Sequence, residues 1–561
     1  MRERQLSRQI FRAFSACCFG LSLVSCVAAQ EARQTSNTEA NRLALYEELV
    51  ASIMETEAFS PTKIERMGVS YPEDFERLRE TFRAADDDEA LFYAIVKLSN
   101  LRHDRHLAVS PVEGGLKIDT EASVEAYGAY RRGCRARRGR SPAAPIAFAY
   151  EIEGETAETI HLAQNADLFV SAPPIEFGFE TNSGIELGDT LIAINGKAIE
   201  AYVAETLPYH CHSTRLGYWQ SLATAIPLRS RLLPPEYYAE NLSLSLQRES
   251  GETYEIELPY LTEDPWQEAT NPEAEYSGYD QVMDRQNFKL HRHETEPRFI
   301  LEWLDFEDEL LEDVDALISY AAETDALGFD MILDARGSSG GSRGAYAIQR
   351  LVDEPFKTTF GNIRISPRAL DWASGAIANL EQNIQQMDGD SPELVGDPSW
   401  LLDWLKTDVM NAASAGLAYS NNVPFKTAHA PKWHYGILEP AETTFTGNLV
   451  CVFGPQGGSH LDQMAAILKD NDLCTMIGMP AGGYSNTWEA REVLTWPGTD
   501  EPIVEFMWNI GDTIRPNGEI LEGNPAEMEV YVPITRENVS TYKNALIEHA
   551  EEILEVARAP E

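Results

Sequence analysis

Positive charge is scarce in this chain. Its 45 lysines and arginines face 90 aspartates and glutamates, a formal net charge of −45. A surface of that sign repels nucleic-acid phosphates and anionic lipid, so neither is expected as a partner. The excess acid reads as solubility rather than as a recognition device. Cysteine is sparse as well, seven in 561 residues. None stands in a CxxC or Cys/His arrangement with zinc spacing, so no metal site and no cofactor is expected. No glycine-rich loop is followed by the Lys-Ser/Thr pair that nucleotide phosphates require. Internal repeats and low-complexity tracts are missing. What is present is core-forming residue in quantity: 43 % of the chain is hydrophobic, enough for real cores, and the length suggests two to four domains.

The N-terminus departs from the acidic rule. Arg2, Arg4, Arg8 and Arg12 precede the apolar run Phe14 to Ala29 (FSACCFGLSLVSCVAA). A basic start, a short apolar run and small residues at its end describe a secretory signal peptide over 1–29, and the run is short for a membrane span. Two cuts remain open. Val27-Ala28-Ala29 suits cleavage before Gln30, and Leu23-Val24-Ser25-Cys26 suits a bacterial lipobox. The expected location is periplasmic or secreted, with membrane contact only through a lipid anchor at Cys26. The leader removed, Cys134, Cys211, Cys451 and Cys474 remain. An oxidising compartment permits disulfides. Cys134 and Cys211, in polar loop-like sequence, are the favoured pair, and Cys451 and Cys474 fit a pair or plain core residues equally well.

The expected architecture is α/β and multidomain. Residues 30–110 read as a helical N-terminal domain, in which Asp88 is expected to cap a helix carrying Leu91, Ile95 and Leu98 on its apolar face. Residues 111–144 read as an exposed loop around the basic cluster RRGCRARRGR, open to proteolysis. Over 145–262 short alternating strands take over. Their clearest phrase is SGIELGDTLIAINGKAIE, with Asn195-Gly196 as a hairpin turn, and Tyr202 to Glu240 reads as an insertion. From Arg298 the pattern changes to strand, helix (Glu307 to Ala326) and buried strand, FDMILDARG, which implies parallel strands and a right-handed crossover. This core spans 290–535, with an insertion at about 364–443 whose Trp372, Trp400 and Trp404 read as core filling. An amphipathic helix, Arg536 to Arg558, closes the chain.

Two glycine-rich strand ends carry the chemistry. One is Asp334 to Gly341 (DARGSSGG), beyond the buried strand, and the other is FGPQGGSHLDQ, where NLVCVF ends and Ser459 precedes a helix. Ligands of open α/β sheets bind beyond the carboxyl ends of the strands. Ser459 reads either as a helix cap or as a nucleophile at the positive end of the helix dipole. As a nucleophile it would find the amides of His460 and Gly340 beside the developing oxyanion.

These stretches resemble the S41 family of C-terminal-processing (tail-specific) serine peptidases. LDARGSSGG resembles the family's D-x-R-x-x-x-G-G loop. Ser459 falls on the nucleophile of V-N-x-x-S-A-S-A-S-E, with Asp462 in place of its glutamate. GEILEGNPAEMEV partly resembles the closing G-x-x-x-E-G motif, and the Gly188-Asp189 phrase resembles the core of a PDZ domain. The resemblance implies a PDZ-like module over 145–262 and a βαβ (ClpP/crotonase-like) protease core. Many members use a Ser-Lys dyad, but the lysine position, 25 residues after the serine, holds Tyr484. Lys469, about 15 Å along the same helix, cannot replace it. The family's other branch uses serine, histidine and glutamate. LRHDRHL resembles its early L-x-D-x-H phrase and places the base on His106, with His103 as runner-up and His460 pointing away. LEGNP places the orienting carboxylate on Glu522. Gly341 and Tyr484 are expected to line the pocket. The resemblance thus implies an exported endopeptidase acting on protein or peptide substrates. A homodimer is left open, and the alternative is an inactive relative that binds peptides or hydrophobic ligands.

Overall fold

The computed structural model of the chain describes residues 36–58, 61–118, 142–179, 184–230, 232–261, 276–307, 309–338, 340–386, 399–424, 436–485 and 488–558. The leader of 1–29, with Cys26, and the basic cluster with Cys134 lie outside them.

A seven-stranded sheet organises the C-terminal half. Its strands run in the order Val530–Tyr531, Thr475–Gly478, Leu449–Phe453, Asp330–Asp334, Arg298–Trp303, Phe288–His293 and Tyr279–Asp284. The first five are parallel, and the last two extend the edge antiparallel. Asp330–Asp334 and Leu449–Phe453 are buried at every position. A strand covered on both faces reads as a run of apolar residues, as LVCVF does and as Met331-Ile332-Leu333 do between two buried aspartates. Alternation sorts their two faces. Phe299, Leu301, Met331, Leu333, Cys451 and Phe453 pack in one core with residues of the helices Leu310–Glu323, Gly344–Leu351 and His460–Asp470. Ile300, Ile332, Val450, Val452 and Ile477 pack under the helix Tyr542–Arg558. Both flanking helices start later than their patterns suggest. The residues ahead of Tyr542 form turns instead, with the Thr535 N–H donating to Asn538 Oδ1 at 2.8 Å.

Ahead of this sheet stands a six-stranded one. Ala147–Glu151, Asp167–Ala172, Thr190–Ile194, Asn241–Gln247 and Thr253–Pro259 pair antiparallel in that order, and Lys197–Ala198 pairs with Thr190–Ile194. Asn195 and Gly196, at φ 49° and 76°, make the tight turn between the last two. The segment of the expected insertion forms the helices Ile199–Thr206 and Arg215–Ala225.

Five helices between Glu39 and Asn100 make the N-terminal part. Leu91, Ile95 and Leu98 of Asp88–Asn100 are buried. Its cap, however, is Asp87 and not Asp88. The Asp87 carboxylate accepts the Ala90 N–H at 2.7 Å, while Asp88 is the first helical residue and accepts the Lys117 N–H at 2.8 Å. Two adjacent acids offer the same capping chemistry, and the chain direction entering the helix decides between them. Past this helix Val109–Ser110 pairs with Pro502–Asn509, Val109 opposite Phe506. The loop 101–108 is therefore pinned at both ends.

Trp372 and Trp404 pack against Trp488, ring centroids 6.0 and 5.5 Å apart; Trp404 is a core residue and Trp372 is partly buried against that core. The Trp400 side chain lies outside the described residues. Cys211 is disulfide-bonded, whereas Cys451 and Cys474 are free thiols.

Candidate active site

Ser459 stands at the joint between the strand Leu449–Phe453 and the helix His460–Asp470. Its φ and ψ are 61° and −119°, and its side chain makes no capping bond to the helix. An N-cap residue is normally extended, with its side-chain oxygen turned onto the helix amides. Ser459 is turned the other way: Oγ lies 2.9 Å from Nε2 of His106. This separates the two readings of the serine. A strained strand-to-helix turn is how other folds push a serine hydroxyl out of the backbone, and such a conformation costs about 1–3 kcal/mol.

The surroundings hold that conformation. The Ser459 N–H donates to the Tyr484 carbonyl at 2.5 Å. The carboxyl of Asp462, one turn into the helix, accepts the Gly483 N–H at 3.0 Å. Burial raises the Asp462 pKa well above the usual carboxylate range. Two glycines allow the close approach. A Cβ at Gly458 would lie 2.1 Å from the Tyr484 ring, and one at Gly340 would lie 2.5 Å from Cβ of Ser459. The glycine loop beyond Asp334 thus lies directly against the serine.

His106 is buried on the pinned loop. Its backbone N–H donates to Asp104 Oδ1 at 2.9 Å, and the Arg105 N–H donates to Ser213 Oγ at 3.1 Å. Arg102 donates from Nη1 to the Met507 carbonyl at 2.7 Å and forms a buried ion pair with Glu57. The Tyr484 ring meets the imidazole edge-on at 5.4 Å, and the Arg105 guanidinium lies 4.5 Å from the centre of that ring.

Glu522 joins them. One donor atom each from Asp104, His106 and Glu522 lies within 4.8 Å of the others. Glu522 Oε1 is 2.9 Å from Lys63 Nζ, and Oε2 accepts the Ser485 N–H at 2.7 Å, all of it buried. A histidine and two carboxylates have the donor chemistry of a metal site. Here the Lys63 ammonium already stands on one Glu522 oxygen and a ring nitrogen of His106 is directed at Ser459, so the set fits a resident ion poorly.

The remaining candidates lie elsewhere. His103 Nδ1 is 3.2 Å from His212 Nε2. His460 turns its ring into the core, where Nε2 accepts the Gly344 N–H at 2.6 Å and burial brings its pKa down to about 4. Only its backbone remains on the Ser459 side. Gly341 packs on Phe306 rather than on the serine, its Cβ position 2.5 Å from Phe306 atoms. Lys469 is paired with Glu529. The sequence reading gave no role to Lys63, Arg105 or Ser485. Asp104 lay within the quoted LRHDRHL phrase, where its spacing of two from His106 was the available signal.

The fold is the one found in S41-type peptidases. It is similar to that of mature CPAF, with a TM-score of 0.63 and 14 % identity over 93 % of this chain and 99 % of that one. CPAF complexed with lactacystin gives a TM-score of 0.62 and 13 % identity over 92 % and 98 %. A photosystem II D1 C-terminal processing protease is a looser match, at a TM-score of 0.37 and 13 % identity over 89 % and 96 %. No protein-family model matches the chain, and no curated protein does. At such identities the likeness establishes the architecture.

Proposed function

We propose that the chain is an exported serine endopeptidase of the S41 type, its core ClpP/crotonase-like and its six-stranded sheet a PDZ-like module. Ser459 attacks the scissile carbonyl of a protein or peptide substrate and forms an acyl-enzyme. His106, neutral at the outset, takes the hydroxyl proton at Nε2 and returns it to the leaving amine. Glu522 supplies the negative charge that steadies the resulting imidazolium. The amides of Gly340 and His460 face the developing oxyanion, where each such donor is worth about 3–4 kcal/mol.

The observation that carries this reading is the 2.9 Å contact between Ser459 Oγ and His106 Nε2, made by a serine that leaves its own helix uncapped. A serine hydroxyl needs such a base to react at neutral pH. The test is labelling with a fluorophosphonate, followed by mass spectrometry, beside hydrolysis of casein. Wild type should label at Ser459 and cleave, and Ser459→Ala and His106→Ala should do neither. Lactacystin, bound by CPAF in the matching structure, serves as a second probe. A folded wild-type chain that takes up no label and cuts no substrate would falsify the peptidase and leave a binding protein.

A further inference from the structure

We infer that Lys63 is a positioning residue of this site: its ammonium holds the Glu522 carboxylate aimed at His106. The N-terminal helices are then a working part of the centre. The inference rests on the Ser459–His106–Glu522 reading.

Lys63 belongs to the short helix Pro61–Met67, yet its side chain is 3 % exposed and that of Glu522 5 %. Burial of two opposite charges in contact needs a reason, since the desolvation cost is large. The surroundings of Glu522 provide one. Asp104 lies within 4.8 Å, and Tyr71, Asp462 and Asp512 face the same carboxylate closely enough to feel its charge. A carboxylate among such neighbours is repelled from its place unless a cation faces it. Turned away from His106 it could not stabilise an imidazolium, so the site needs a cation that holds it. Lys63 Nζ stands 2.9 Å from Oε1. The geometry is fixed from both ends. The Lys63 stem crosses Gly523, where a Cβ would sit 3.1 Å from Cγ. The Ser485 N–H holds the other oxygen. Both Glu522 oxygens are thereby used in aiming it.

The test is a double-mutant cycle read by the fluorophosphonate labelling rate and by kcat and KM. Lys63→Met should lower the labelling rate and kcat at pH 7 by about tenfold or more, with KM within about twofold. In the Glu522→Gln background the same substitution should change the rate less than about twofold, because its effect passes through the carboxylate. An equal loss in both backgrounds, or none in the first, overturns the inference while a labelled wild type leaves the peptidase reading standing. An unlabelled wild type overturns both. Lys63→Arg keeps the charge and guards against a Met variant that folds poorly. It should restore most of the labelling rate and kcat, and a loss in this folded variant as large as that of Lys63→Met counts against the proposal.

Discussion

The Asp462 carboxyl, in the first turn of the helix that Ser459 opens, accepts the Gly483 N–H at 3.0 Å. It thereby joins that helix to the strand-end segment whose next residue, Tyr484, takes the serine's own N–H. Asp462→Ala should cost about 1–3 kcal/mol in urea unfolding, the usual cost of leaving a buried donor without its acceptor. It should also slow fluorophosphonate labelling. Asp462→Asn keeps an acceptor oxygen and should retain most of both. Equal behaviour of the two variants would remove this role from the carboxyl.

Gly340→Ala should lower turnover on the order of a hundredfold without unfolding the core. The added methyl would fall 2.5 Å from Cβ and 3.1 Å from Oγ of Ser459, so either the serine or the loop must move. A displacement of that size at reacting atoms costs on the order of a hundredfold in rate. The check is kcat on a peptide substrate beside the thermal midpoint. Wild-type kcat would mean that the loop yields freely.

His210 is buried with neither ring nitrogen hydrogen-bonded among the described residues, and burial brings its pKa down to about 4. Near neutral pH both folded and unfolded chains hold it neutral. Below its ordinary value of 6.5 the unfolded chain binds a proton that the fold refuses, so stability falls with pH until about 4. The slope is about 1.4 kcal/mol per pH unit. His210→Phe should therefore gain on wild type by about 2 kcal/mol at pH 5 relative to the difference at pH 7. Urea titrations at the two pH values measure this, and a pH-independent difference would contradict it.

Arg102→Met should be among the most damaging substitutions away from the reacting groups. It leaves the Glu57 carboxylate buried with its partner gone, a loss of about 3–5 kcal/mol. It also removes the tie from the base loop to the Met507 carbonyl. Denaturant unfolding would show the loss, and a change under 1 kcal/mol would mean that Glu57 finds water or a proton at little cost.

The strand-helix-strand core was legible because NLVCVF is an apolar run that stops at Gly454 and FDMILDARG sets Met331-Ile332-Leu333 just ahead of Gly337, and Ser459 was legible as a choice between two roles. The backbone dihedrals of Ser459 set the cap reading aside, and no local pattern encodes them. His106 was reachable only through the resemblance of LRHDRHL to a family phrase. Lys63 was not reachable at all. In PTKIERM it looks like any solvent-facing lysine of a short helix, and its burial comes from Glu522, 459 positions away. The double glycine is split by the fold: Gly340 faces the serine and Gly341 faces Phe306.

The loop carrying His106 is held by a strand formed after Pro502, and the carboxylate beside it comes at Glu522. On the proposed reading, nearly the entire polypeptide must therefore be made before Ser459, His106 and Glu522 can meet. Loss of the segment from Pro502 onward would remove both the strand that holds the His106 loop and the carboxylate beside it.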